Sequence, residues 1–74
     1  MQKVMRFNLH ISYDTYLLVY QGHAEYIITT ATDGRTVQFP AEVVKSFLTR
    51  EGIHGFFEIT FNQQNKFQSI TKLA

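Results

Sequence analysis

The sequence predicts an α+β domain in the order β-α-β-β-α-β-β, with a five-stranded, largely antiparallel sheet and two short helices. Three observations carry that expectation. Apolar and polar residues alternate along residues 5–12 and 57–62, the period-2 mark of strands with one buried face. Two β-prone runs, 26–32 and 35–39, flank Asp33-Gly34, a dipeptide suited to a hairpin turn because it tolerates positive φ. Between Pro40 and Gly52 the apolar residues recur instead at helical spacing. A ferredoxin-like core with one extra strand, or a small curved barrel, fits the same order.

The 74 residues supply a single small domain, 1–74, with 45% hydrophobic positions for its core. Seven Lys and Arg against six Asp and Glu leave a net charge of +1, so no single-sign field selects the partner. Without cysteine there is no disulfide framework, thiolate zinc site or cysteine nucleophile. The longest unbroken apolar run, 16–20, is far short of the roughly 20 residues of a membrane span. Lys3 and Arg6 sit within an alternating pattern and do not precede an apolar run, unlike the basic start of a signal peptide. A soluble cytoplasmic protein with no membrane partner is expected.

In the first strand Met5, Phe7, Leu9 and Ile11 share the buried face. Ser12 offers a side-chain oxygen to the free amides of a following helix, Asp14 suits its positive end, and Gly22 is a natural stop. Tyr13, Tyr16, Leu17 and Tyr20 then fall on one face, while Leu18 and Val19 make the segment apolar nearly all round; a strand competes with the helix here, since Tyr and Val favour sheets. A two-residue turn at Asp33-Gly34 pairs Thr32 with Arg35, which gathers Tyr26, Ile28, Val37 and Phe39 on the core side and turns Ile27 outward. Pro40 opens the second helix, Val43, Val44, Phe47 and Leu48 form its stripe, and Gly52 closes it. Phe57, Ile59 and Phe61 face the core from the next strand, with Phe56 on the outer parity. A three-residue loop at Gln63, Gln64 and Asn65 sets Phe61 opposite Phe67, with Asn65 left-handed. Phe67 and Ile70 have opposite parity, so either a bulge lies between them or the strand is buried on both faces, and the bulge is expected.

Chemistry-bearing constellations are sparse. No serine has a Gly-x-Ser-x-Gly context, no phosphate loop is present, and the acids fall at caps, turns and outward faces, so no enzyme and no cofactor are expected. His10 reads as an outward strand position and His23 as a residue past a helix stop; none of the three histidines has a metal-ligand spacing, and no metal is expected. His54 is the strongest candidate, because Gly52 and Gly55 around it permit unusual backbone angles and close approach of a ligand. The leading expectation is a non-enzymatic protein-binding or self-assembly module, such as a homodimer, working through Tyr16, Val19 and Tyr20 of the first helix and through His54, Gly55 and Phe56. The alternative is single-stranded nucleic-acid binding through Arg6, Phe56, Lys66 and Lys72, since 54–61 echoes a basic-Gly-aromatic run whose rings stack on bases. A small-molecule site beside His54 is the third reading.

The run Asp33-Gly34-Arg35-x-Val37-Gln38-Phe39-Pro40-Ala41, with Gly52-Ile53-His54-Gly55-x-Phe57 and Asn65-Lys66-Phe67, resembles a family of small bacterial proteins of unknown function. The Arg6-Phe7 strand and the 16–22 segment also resemble it, so the likeness spans nearly the whole chain. It implies a short bacterial cytoplasmic protein and brings no activity to any residue.

Overall fold

Alternation along the first segment does produce a strand. The computed structural model describes residues 2–18, 21 and 26–74. In it β1 (Lys3–Ile11) runs antiparallel to β4 (Ile53–Phe61), with Phe7 opposite Phe57 and Ile11 opposite Ile53. β4 also pairs antiparallel with β5 (Phe67–Lys72), so β4 is central in the order β1-β4-β5. The last hairpin follows its expected register: Phe61 faces Phe67, the Asn62 N–H donates to the Lys66 carbonyl at 2.9 Å, and Asn65 has φ 63°. The expected bulge is present, since Thr60 pairs with Ser69 and leaves Gln68 as the extra residue.

The remaining strands, β2 (Tyr26–Thr30) and β3 (Thr36–Pro40), form a separate two-stranded antiparallel sheet. The domain therefore holds five strands in two sheets, not one five-stranded sheet. No parallel ladder forms among the described residues, and α1 (Tyr13–Leu18) follows β1. The hairpin turn also differs from expectation by one residue. The Ala31 N–H donates to the Arg35 carbonyl at 2.8 Å and the Gly34 N–H to the Ala31 carbonyl at 2.9 Å, which makes a three-residue loop of Thr32, Asp33 and Gly34. Gly34 alone takes the left-handed position, at φ 91°. Thr29 thus faces Val37 and Ile27 faces Phe39, and the whole of β2 is turned over. Ile27 is buried, whereas Ile28 and Tyr26, expected in the core, are exposed.

Ser12 caps α1 as expected, its Oγ accepting the Thr15 N–H at 3.2 Å while its carbonyl accepts the Tyr16 N–H at 3.0 Å. Tyr16 is buried and Tyr13 exposed; Val19, Tyr20, Gly22 and His23 lie outside the described residues. The second helix is a 3-10 helix over Ala41–Phe47, with Pro40 extended just before it and not within its first turn. Adjacent β-branched Val43 and Val44 weaken an α-helix, and a repeat of three residues per turn brings Ala41, Val44 and Phe47 into one inward row. This helix ends at Leu48, so Gly52 belongs to a separate turn.

One core joins these parts. The inner face of the three-stranded sheet is covered by β2 and β3, α1 and the 3-10 helix, with Phe7, Val37, Phe39, Val44, Ile53, Phe57 and Ile59 almost wholly enclosed. Phe7 stacks on Phe39 at 5.4 Å between centroids and on Phe57 at 5.9 Å, and Phe47 meets Phe57 edge-on at 5.1 Å. The hairpin loop is tied to β1 as well, with the Thr32 N–H donating to the Arg6 carbonyl at 2.8 Å and Arg35 Nη2 to the Val4 carbonyl at 3.1 Å.

Candidate functional site

Alternation that buries one face of a sheet presents the other. On the outer face of the three-stranded sheet, the registers place Val4 beside Thr60, Arg6 beside Glu58, Asn8 beside Phe56 and His10 beside His54. Ser69 and Thr71 of β5 continue this face beyond Thr60 and Glu58, and Leu73 lies next to Phe56, to whose carbonyl its N–H donates at 2.7 Å. The outward residues of β1 and β5 are exposed, Val4 among them, as is Leu73 just past β5, so the face is open. Phe56 is half-buried near its centre.

At one end of this face His10 and His54 meet, Nδ1 to Nδ1 at 3.2 Å, with ring centroids 5.5 Å apart. Their protonation pattern follows from the next contact. His54 Nε2 lies 2.6 Å from the Glu51 carbonyl oxygen, and a carbonyl only accepts, so Nε2 carries the hydrogen. A neutral His54 then presents a lone pair at Nδ1, and His10 Nδ1 donates to it. His10 reads in the sequence as an outward strand position, and its partner lies 44 residues away. The signal that finds the pair is the alignment of two nine-residue strands on Phe7 and Phe57, which carries His10 onto His54.

The two glycines beside His54 answer to packing. Gly52 has φ 103°, and a Cβ there would fall on the carbonyl oxygen of Ile11, where β1 passes into α1. Gly52 also closes a tight turn with Thr49, each N–H donating to the other's carbonyl. Gly55 is in β4, not in a left-handed turn, and its bare face is filled by the Lys72 side chain and the Ala74 carbonyl, both 2.7 Å from where a Cβ would sit. Tyr16, expected at a binding surface, is enclosed, and its hydroxyl donates to the Ala41 carbonyl at 3.1 Å. Of the residues expected at a nucleic-acid surface, Arg6 and Phe56 are diagonal neighbours, but Lys66 lies just before β5 and Lys72 at its far end, opposite the core residue Phe57. Arg6 is held by Glu58 at 2.8 Å.

A family model described as a protein of unknown function, DUF2835, matches residues 3–73, nearly the full chain. The chain belongs to the DUF2835 family. Comparison with curated proteins and with solved structures returns no match. In this DUF2835 chain the segments around Asp33-Gly34, Gly52 and Asn65-Lys66 are the points at which the backbone reverses. A cleft of about 430 Å³, which sequence reading did not identify, lies between β1 and β3, with Met5, Val37 and Phe61 as its apolar lining. Its cations are engaged, Lys3 with Asn65 Oδ1 at 2.6 Å and Arg35 with Asp33 at 2.6 Å. Among the described residues no group of three or more His, Asp or Glu converges as a metal cluster, and no helix is long and apolar enough to cross a membrane.

Proposed function

We propose that this DUF2835 chain is a non-enzymatic cytoplasmic protein-binding module, and that the open face of its three-stranded sheet packs against the same face of a second copy. The observation that carries this is the face itself, with Phe56 near its centre, Val4 exposed on β1 and Leu73 exposed just past the end of β5. Sheets stack through such faces, and two copies bring no opposed charge excess, because Arg6 is neutralised by Glu58 on the face. Sedimentation over a range of concentrations tests it. The native chain is expected to shift towards a dimer, and Val4→Lys to weaken association at least about tenfold, since like charges opposed across an interface cost more than the ~1.4 kcal/mol of one decade. A native chain that stays monomeric at the highest concentration overturns self-assembly.

Single-stranded nucleic-acid binding is the second reading, favoured by one observation: a ring on the central strand of an open antiparallel sheet, with Arg6 diagonal to it. Titration with mixed oligonucleotides at low salt decides it. Absence of binding there removes the reading.

A further inference from the structure

We propose that His10 and His54 form a two-imidazole site for a divalent late first-row transition ion, with Zn²⁺ as the probe. Each step comes from the geometry of the pair. Imidazole nitrogens bind such ions at about 2.0–2.1 Å, so two nitrogens on one ion at a near-tetrahedral angle of about 100° stand about 3.2 Å apart. The His10 and His54 Nδ1 atoms are 3.2 Å apart. The second contact has the same meaning. A ligating histidine nearly always donates its other ring N–H to a carbonyl or carboxylate, which fixes the tautomer that turns a lone pair to the metal. His54 does so, with Nε2 donating to the Glu51 carbonyl at 2.6 Å.

Binding requires one rearrangement of hydrogens. The hydrogen on His10 Nδ1 moves to Nε2 of the same ring, so both Nδ1 atoms offer lone pairs and a neutral pair releases no net proton. His10 and His54 are exposed on facing strands, so their backbone positions are already fixed while the ion remains reachable from solvent. No third His, Asp or Glu joins them among the described residues, which leaves the other coordination positions to water. Imidazole donors favour Zn²⁺, Ni²⁺ or Cu²⁺ over Mg²⁺, which demands oxygen ligands.

The test is a titration of the full chain with Zn²⁺, read from the histidine ring signals by NMR, in a His23→Asn background that leaves the pair as the only imidazoles. Both rings are expected to shift together and saturate at one ion per chain. Mg²⁺ leaves them unmoved, and His10→Asn weakens binding by at least about tenfold, the lower end of the loss seen when even a supporting contact is removed. Rings that stay unshifted in a large excess of Zn²⁺, or His10→Asn binding as tightly as its parent, overturn the proposal. Because His10 is exposed, loss of folding does not confuse the result, and the backbone amide spectrum of the variant verifies this.

Discussion

Asp33 accepts the Arg35 backbone N–H at 3.1 Å through one carboxylate oxygen and the Arg35 guanidinium at 2.6 Å through the other. The backbone hydrogen bond is the main cause that holds the Asp33 carboxyl below the ordinary carboxylate range; the guanidinium adds to it, against the opposing effect of desolvation. A carboxylate whose pKa is lower folded than unfolded stabilises the fold above its ordinary value, and that contribution drains away as pH falls through the depressed one. Asp33→Asn is therefore expected to be less stable than the native chain at about pH 7, with the gap closing at about pH 2. Urea unfolding at the two pH values measures it, and a gap that stays constant contradicts the assignment. His10 and His54 teach a different lesson at this scale. Each is an ordinary outward strand residue by itself, and only the β1–β4 register gives the pair a geometry.

At the level of elements, the β2–β3 hairpin makes the sharpest prediction, because one residue of register decides which isoleucine is inside. Ile27→Thr is expected to cost about 1–3 kcal/mol, for a buried methyl-bearing chain replaced by a hydroxyl, and Ile28→Thr to stay within about 0.5 kcal/mol. Chemical denaturation of the two variants measures it, and the opposite order of costs requires the two-residue turn. The C-terminal hairpin was legible in the sequence down to its bulge, since Phe61, Phe67 and Ile70 can all face inward in a single way. The same loop length was available at Asp33-Gly34, where one left-handed glycine and an Asp33 side chain bonded to the Arg35 N–H replace a second positive φ. The preference for Asp-Gly as both central residues of a turn hid it. Helix type was less legible, because three-residue and 3.6-residue repeats both place Val44 and Phe47 inward and differ mainly at Ala41. The open sheet face was legible as outer parity around Phe56; which strand lay beside it depended on long-range pairing.

Across the whole molecule, the Phe39–Phe7–Phe57–Phe47 ring contacts join both sheets and the 3-10 helix into one core. That core explains how a two-stranded sheet, marginal by itself, is held against the three-stranded one in a chain without cysteine. The same layout has a bearing on how the protein behaves when crowded with copies of itself. A three-stranded sheet has two bare rims, each a template on which further chains could stack end to end into a fibre. On the β1 rim, Thr32 and Arg35 already occupy the Arg6 and Val4 carbonyls. On the β5 rim, Gln68 kinks the strand. Deleting Gln68 leaves Phe61 opposite Phe67, Thr60 opposite Ser69 and Ile59 opposite Ile70, yet straightens that rim. The shortened chain is expected to fold as before but to form fibrils sooner than the native one when agitated at equal concentration, as measured by light scattering. The bulge thus interrupts the one rim whose ladder the hairpin loop does not already occupy.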